Sequence, residues 1–326
     1  MKTLYLHMGL QKTGTSSIQM YFMSPQGPLK AAKIDYLREA FAPRHAHHNA
    51  ALEMSRNRRY DPALPGMDAL LAAAHASKRD RLFVSSEDFS LLARNDIKAL
   101  GQRLEPFSVK LILCLRNQLE WSESLFAQAC KRGYIGSFTV FSDRLQADGK
   151  LDFLTLIQNW IAVFGQDNLS VMIYENHADI SDALADLLGV TVDAPPARKN
   201  QSLNERFVTA SQILSEQCQN GQLRRGDTVI SAGLQALVAK KLLALGAQHA
   251  PFAGSPVFLD ADAAQAYLDR SRAVNTGISQ LIPLPEAYLT VSSRRRAPKA
   301  PSAEDMEWLQ DGLFSDPDIQ AKLAGA

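Results

Sequence analysis

The sequence predicts an α/β protein in which helices cover both faces of a mainly parallel sheet and a helical extension follows. Two observations support this fold class. Short apolar runs alternate with helical patterns over the first 190 residues, and strand-like patterns disappear beyond Pro195-Pro196. Alternating strands and helices imply βαβ crossovers and parallel pairing. We therefore expect an α/β core over residues 1–195 and a helical extension over residues 196–326.

The elements of the core follow in order along the chain. Residues 3–8 form a short apolar strand, residues 9–17 a Gly/Thr/Ser-rich loop, and residues 18–22 have helical character. After a polar stretch the patterns predict a helix over 67–76, a strand over 82–85, a helix over 96–104, a strand over 109–115, helices over 119–131 and 151–164, and a strand over 169–174. The run 109–115 is apolar at nearly every position, which is typical of a central parallel strand.

The extension contains three helical patterns, over residues 204–218, 229–246 and 261–275, with no convincing strand. We expect it to pack on the sheet and to complete the binding sites of the core. The segment after residue 292 contains Arg294-Arg295-Arg296 and several prolines, so we expect a loosely ordered tail before a last short helix.

Composition excludes several classes of protein. The 326 residues contain 35 Lys+Arg and 34 Asp+Glu, so no whole-surface field favours nucleic acid or an anionic membrane, and an anion site has to be local. Three separated cysteines suit neither a disulfide framework nor a thiolate zinc site. No apolar run approaches the roughly 18 residues of a membrane span, and the first apolar run is too short for a signal peptide. We expect a cytoplasmic location; the oligomeric state stays open.

The loop from Gly9 to Ser17 has the composition of an anion cradle. It offers backbone N–H groups, several hydroxyls and the ammonium of Lys12 around the N-terminus of the following helix. A nucleoside-triphosphate loop has the pattern Gly-x4-Gly-Lys-Ser/Thr, but here Thr15 stands in the lysine position and Lys12 precedes Gly14 by two residues. No acidic strand end is obviously dedicated to Mg²⁺, so the transfer of an anionic group without a metal fits the sequence better than a Mg²⁺-dependent phosphoryl transfer.

The segment Lys12-Thr13-Gly14-Thr15-Ser16 resembles the Lys-Ser/Thr-Gly-Thr-Thr/Ser loop of sulfotransferases, and the match extends to Ile18-Gln19 as in bacterial members. The resemblance implies the P-loop-NTPase-like sulfotransferase fold, with 3′-phosphoadenosine-5′-phosphosulfate (PAPS) as the donor and no metal. It also implies that the loop binds the 5′-phosphosulfate. The residues expected to do so are Gly9, Lys12, Thr13, Gly14, Thr15, Ser16 and Ser17.

A second segment resembles the family's other signature, an arginine at a strand end followed by a serine eight residues later. Arg116 and Ser124 occupy these places, and an arginine and a hydroxyl can bind a phosphate together. The resemblance implies that they hold the 3′-phosphate of the donor. Ser122 is a nearby alternative to Ser124. In relatives a basic loop late in the chain also reaches the 3′-phosphate, and Arg198 and Lys199 are the candidates for it here. The alternative is that they lie in a solvated loop between domains.

Sulfuryl transfer to an alcohol needs a base for the hydroxyl proton and a cation for the departing phosphate. Lys12 is the natural cation. Glu87 follows the strand 82–85 and is the predicted base. Asp88 is the adjacent alternative base, and the alternative role for these residues is to cap the next helix. The resemblance agrees in part, because glycan-modifying sulfotransferases use a glutamate base whereas cytosolic small-molecule enzymes use a histidine. His7 is expected to be a core residue.

Three histidines, His45, His47 and His48, cluster at a spacing that suits no standard zinc motif. They are candidates for the wall of an acceptor pocket or for an exposed loop, and no metal is expected.

The motifs together predict a PAPS-dependent sulfotransferase that acts on a hydroxyl of a carbohydrate or another small acceptor. A glycan or a glycolipid head group is the expected acceptor, and no nucleic-acid partner is expected. Two alternatives stay open: a Mg²⁺-dependent phosphotransferase with an irregular phosphate loop, and a non-catalytic nucleotide- or glycan-binding protein of the same fold.

Overall fold

The computed structural model describes residues 1–23, 28–42, 45–177, 179–191, 202–293 and 295–324. The chain forms two compact units. We call Met1–Asn117, Asp152–Arg198 and Ser271–Thr290 the sheet unit, and Gln118–Leu151, Lys199–Arg270 and Val291–Ala326 the helical unit. The boundary expected near residue 195 lies within residues 192–201, outside the described ranges.

The sheet unit is built on five parallel strands in the order β2-β3-β1-β4-β5. The strands are β1 (Thr3–His7), β2 (Ile34–Tyr36), β3 (Arg81–Ser85), β4 (Ser108–Leu115) and β5 (Leu169–Ile173). The predicted α/β class with a parallel sheet is confirmed. In this order the carboxyl ends of β3, β1 and β4 are neighbours, and ligands of such sheets gather at that edge.

The sheet interior follows from the sequence of β4. From Leu111 to Leu115 each side chain is fully buried, as expected for a central strand covered by helices on both faces. β1 joins β3 and β4 in register, so that His7 lies opposite Ser85 on one side and Ile112 on the other. This register brings the loop after β1 next to the ends of both neighbouring strands.

Helices occupy most of the remaining chain. The helices are α1 (Thr15–Met23), α2 (Pro28–Ala31), α3 (His48–Met54), α4 (Met67–Ala76), α5 (Arg94–Leu104), α6 (Gln118–Cys130), α7 (Phe138–Ala147), α8 (Phe153–Phe164), α9 (Ile180–Leu188), α10 (Glu205–Gln219), α11 (Gln235–Gly246), α12 (Ala261–Asp269), α13 (Arg272–Ser279), α14 (Glu286–Leu289), α15 (Ala303–Phe314) and α16 (Pro317–Ala324). In the described ranges, no helix combines the length and the apolar character needed to cross a membrane.

The helical unit has its own hydrophobic core, and the C-terminal segment contributes to it. Leu309, Leu313 and Ile319 of α15 and α16 are fully buried, so the chain ends in two packed helices where we expected one last short helix after a loosely ordered tail. The reason is a capping box in which Ser302 and Asp305 satisfy each other's backbone N–H groups and start α15. The unit also contains a short hairpin of β6 (Arg224–Arg225) and β7 (Thr228–Val229) that the sequence did not predict.

Candidate functional site

The predicted anion loop connects β1 to α1 at the carboxyl edge of the sheet. Its first residues extend the pairing with β4, because Met8 N donates to Ile112 O (2.9 Å) and Leu10 N donates to Cys114 O (3.1 Å). At the other end, Ser17 N and Ile18 N both donate to Gly14 O and begin the helix. The first N–H groups of a helix have no intrahelical acceptor, so α1 presents donors and a partial positive charge to the loop.

Two residues give the loop its shape. Lys12 has a φ of 67° and Gly14 a φ of 82°, both in the left-handed region. A side chain at Gly14 would also place its Cβ 2.7 Å from Ile180 Cγ2, so glycine is required there on two grounds. The left-handed turn at Lys12 lets the loop close on itself next to the helix N-terminus.

The loop hydroxyls differ in their surroundings. Thr13 is fully buried and its hydroxyl donates to Leu10 O (2.6 Å), so it fixes the loop from inside. Thr15 is also buried at the first position of α1, whereas Ser16 is exposed and Ser17 half-buried. The structure therefore places the hydroxyls of Ser16 and Ser17 where solvent and ligands reach them.

Arg116 follows β4 and lies against the loop. Its Nη1 donates to the backbone carbonyl of Lys12 (3.1 Å), and its guanidinium lies 4.8 Å from the centre of the Tyr174 ring. A guanidinium fixed by a carbonyl and an aromatic face has little freedom to move. The structure thus places Arg116 beside the same loop as Lys12.

Glu87 follows β3 as the first residue of a short 3₁₀ helix, Glu87–Leu91. Gln19 of α1 donates through Nε2 to Glu87 Oε2 (3.1 Å) and to Ser85 Oγ (3.3 Å). The helix that begins at the anion loop therefore also orients the predicted base. Glu87 keeps 19% of its side chain exposed, so solvent and a ligand can reach it.

His48 of α3 lies next to Glu87 and Asp88, 40 residues away in sequence from the latter. His48 Nδ1 is 2.9 Å from Ser86 Oγ, 3.0 Å from Asp88 Oδ2 and 3.9 Å from Glu87 Oε2. Arg59 donates through Nη2 to Asp88 Oδ1 (2.8 Å). We call His48, Glu87, Asp88 and Arg59 the acid–base cluster.

The cluster shifts the proton affinities of its members. Burial acts to lower the pKa of His48, but the hydrogen bond to Asp88 and the charges of Glu87 and Asp88 outweigh it and raise that pKa above its ordinary value. Burial acts to raise the pKa of Asp88, but hydrogen bonds from His48 and Arg59 hold it below its ordinary value. His48 therefore favours the charged form and Asp88 the carboxylate.

The other two clustered histidines have different surroundings. His47 is fully buried, and its Nδ1 accepts from Ser85 N (3.1 Å) while its Nε2 donates to Leu37 O (2.9 Å). His45 is exposed. The structure thus brings only His48 of the three to Glu87. His7 is a buried strand residue, as expected, with Nδ1 2.9 Å from Ser85 Oγ.

The remaining predicted donor residues lie in the helical unit or outside the described residues. Ser124 is half-buried on α6, whereas Ser122 is fully buried with its hydroxyl between Gln118 O (2.7 Å) and Tyr267 OH (2.8 Å). Ser122 is thus engaged in packing, which leaves Ser124 as the more accessible hydroxyl. Arg198 and Lys199 lie outside the described residues.

The helical unit contains a cavity of about 430 Å³ with several basic side chains in its wall. Each of three arginines there is paired: Arg206 with Asp305, Arg295 with Glu123 and Arg296 with Glu205. Arg295 is only 6% exposed, so it is a structural residue and not the solvated tail residue that we expected. The paired charges leave this wall without an obvious excess of positive charge.

No group of three histidine, cysteine or carboxylate side chains suited to a metal ion occurs among the described residues. Sequence analysis included Gln19 in the loop motif without a role and missed Arg59 and Tyr174 as parts of the site. Arg59 and Tyr174 carry no local signal, because each reaches the site from a separate element through the fold.

Neither a protein-family model nor a curated protein sequence matches the chain. Among solved structures, the chain is similar to the crystal structure of a sulfotransferase from Alicyclobacillus acidocaldarius, with a TM-score of 0.36 and 16% identity. The likeness covers 65% of this chain and 90% of that one. A likeness this distant carries no argument about function, which has to come from the chain's own side chains.

Proposed function

We propose that this chain is a PAPS-dependent sulfotransferase that transfers a sulfuryl group to a hydroxyl of a carbohydrate or another small acceptor. One observation carries the proposal. The anion loop and the acid–base cluster lie at neighbouring strand ends of one unit, joined by Gln19, which reaches from α1 to Glu87. Transfer of an anionic group to an alcohol needs this combination of a cationic cradle and a base.

The loop fits a phosphate group or a sulfate group. Gly9 is buried, and a Cβ there would come within 3.1 Å of His7 Nε2 and 3.2 Å of Thr13 Oγ1, so glycine lets the start of the loop pack closely on the end of β1. The helix N-terminus, the ammonium of Lys12 and the hydroxyls of Ser16 and Ser17 supply donors suited to anionic oxygens. In the proposal these groups bind the 5′-phosphosulfate together with Gly9, Thr13, Gly14 and Thr15.

The chain's own groups have distinct roles in the proposed reaction. PAPS supplies the sulfuryl group when it is bound. Lys12 neutralises charge on the departing phosphate, and Arg116 holds the loop through the Lys12 carbonyl. Glu87 accepts the proton of the attacking hydroxyl, with its carboxylate oriented by Gln19. Arg116, Ser124, Arg198 and Lys199 are the proposed partners of the 3′-phosphate. A cytoplasmic location suits PAPS as the donor.

A transfer assay tests the proposal. The protein is incubated with PAPS labelled in its sulfur and a panel of oligosaccharides, glycolipid head groups and simple alcohols, with chelator present. A parallel reaction without chelator contains the same panel with Mg²⁺-ATP in place of PAPS. We expect labelled product from at least one hydroxyl acceptor. Donor binding without transfer to any acceptor would favour a non-catalytic binding protein, and phosphorylation of the panel from Mg²⁺-ATP would favour the phosphotransferase.

A further inference from the structure

His48 faces the proposed base from a separate element of the sheet unit. Its Nδ1 lies 2.9 Å from Ser86 Oγ, 3.0 Å from Asp88 Oδ2 and 3.9 Å from Glu87 Oε2. The side chains of His48 and Glu87 are 20% and 19% exposed, so both exchange protons with solvent while the rest of each is shielded from it.

The ring of His48 is fixed on one side. Arg59 holds Asp88 from behind (2.8 Å), and Ser86 Oγ accepts a hydrogen bond from Asp88 N (3.1 Å). The Nδ1–H group of His48 therefore donates to the Asp88 carboxylate, whose orientation is fixed by these contacts. Nε2 is then the nitrogen that gains or loses the proton as pH changes.

A charge on His48 acts directly on Glu87. At 3.9 Å in a partly buried site, opposite charges attract each other, and Glu87 is one of the charges that raise the pKa of His48. When the ring is protonated, Glu87 belongs to an ion pair, and transfer of a proton to its carboxylate is opposed because it would remove the attraction between the two charges. When the ring is neutral, that attraction disappears and Glu87 becomes a stronger base.

We infer that His48 is a positioning residue that sets the basicity of Glu87, so that the site works better as a base when the ring is neutral. The catalytic consequence rests on the proposed sulfuryl transfer, whereas the coupling of the two groups does not. In the transfer, Glu87 takes the hydroxyl proton as the acceptor oxygen bonds to sulfur and the bond from sulfur to the donor phosphate oxygen breaks. No proton passes to His48.

The groups around the His48 ring act on its pKa in opposite directions, and those that favour the charged ring prevail. Burial and Arg59 disfavour a charge on His48, whereas Asp88 and Glu87 favour it, and the net effect raises its pKa above its ordinary value. His47 itself is neutral, because burial lowers its pKa to about 4. The change in His48 charge thus falls at a higher pH than that of an ordinary histidine.

The pH dependence of kcat tests this role. We expect wild-type kcat to rise about tenfold with pH through an apparent pKa above 6.5, as the base strengthens. His48→Asn keeps a donor in the place of Nδ1 but cannot be charged, so its profile should lack this limb. At pH 6 the variant should be several-fold faster than wild type, by about the factor lost to the ion pair. His45→Asn, at an exposed position, is the matched control and should keep the wild-type profile.

Two outcomes of that experiment would overturn the inference. If His48→Asn were inactive at every pH while still binding the donor product, the ring itself would be the reacting group. If the variant kept the wild-type limb, some other group would set the pH range.

A titration of the ring by NMR tests the coupling without donor or acceptor. The His48 signal is identified by its loss in His48→Asn. We expect a pKa above 6.5 in wild type, lowered by Asp88→Asn and, to a smaller extent, by Glu87→Gln. An unchanged value in Glu87→Gln would contradict the coupling even if the protein transfers sulfuryl groups, and the expected shifts would support it even if no acceptor were found.

Discussion

The two units use paired charges in different ways. In the helical unit, the pair of Arg295 and Glu123 is 6% and 3% exposed, and Glu123 Oε1 also accepts from Phe258 N. In the acid–base cluster of the sheet unit, His48 and Glu87 are each about one-fifth exposed, next to the anion loop. The difference teaches that a charge pair indicates a site only where a proton or a ligand can reach it; a sealed pair joins elements of the fold.

The largest effect on stability is expected at the buried pair of Arg295 and Glu123. Glu123→Ala should lower the free energy of unfolding by about 3–5 kcal/mol, because it leaves Arg295 buried without its counter-charge. Urea denaturation measures this. Glu216→Ala, at an exposed position of α10, is the control and should change stability by less than about 0.5 kcal/mol. Equal effects of the two substitutions would remove the contrast.

The fall in unfolding free energy at acid pH measures the contribution of the two buried histidines, His7 and His47. Burial lowers the pKa of both His7 and His47 to about 4, below the value of 6.5 in the unfolded chain. Their contribution to stability is therefore complete above pH 6.5 and is lost as pH falls toward 4, by roughly 3 kcal/mol for each ring. His7→Phe should make the fall in unfolding free energy over this range shallower. A slope as steep as that of wild type would show that His7 is not the group responsible.

Loss of the loop ammonium should affect the reaction and spare the fold. Lys12→Ala is expected to lower kcat about 100-fold, because charge on the departing phosphate loses its counter-ion. Its unfolding free energy should stay close to that of wild type. Lys30→Ala, an exposed lysine of α2, is the matched control. Full transfer activity in Lys12→Ala would reject the loop as the donor site.

The smallest effect is expected at the solvent side of the acid–base cluster. Arg59 is 53% exposed, so Arg59→Ala should change stability by less than about 1 kcal/mol. Removing this cation should nevertheless raise the pKa of His48, which the NMR titration measures. Arg56→Ala removes a more exposed and looser pair with Asp96 and should leave that pKa unchanged.

Much of the fold could be predicted from the sequence because its central elements have strong patterns. The helix predicted over 67–76 is α4 (Met67–Ala76), and the apolar run 109–115 lies within β4 (Ser108–Leu115). β2 was missed because three residues, Ile34–Tyr36, are too few to show a period. A last short helix was predicted without bounds, although the spacing of Ser302 and Asp305 is a capping signal that marks the start of the 12-residue helix α15.

The candidate site could be predicted only in part. The loop Gly9–Ser17 is contiguous, so its composition and its place between strand and helix were enough to propose it. The partners of Glu87 were not visible, because Gln19 and His48 are 68 and 39 positions away along the chain and meet Glu87 only through the packing of α1 and α3 on the sheet. Side chains that converge from separate elements leave no spacing pattern in a single sequence.

Calorimetric binding of 3′-phosphoadenosine-5′-phosphate, compared with ATP with and without Mg²⁺, tests the donor site most directly. We expect metal-independent binding of the bisphosphate that is tighter than binding of ATP. Arg116→Ala should weaken it at least tenfold, about 1.4 kcal/mol, whereas Arg79→Ala, at an exposed position, should not. Preference for Mg²⁺-ATP, or bisphosphate binding that Arg116→Ala leaves intact, would contradict the proposed donor site.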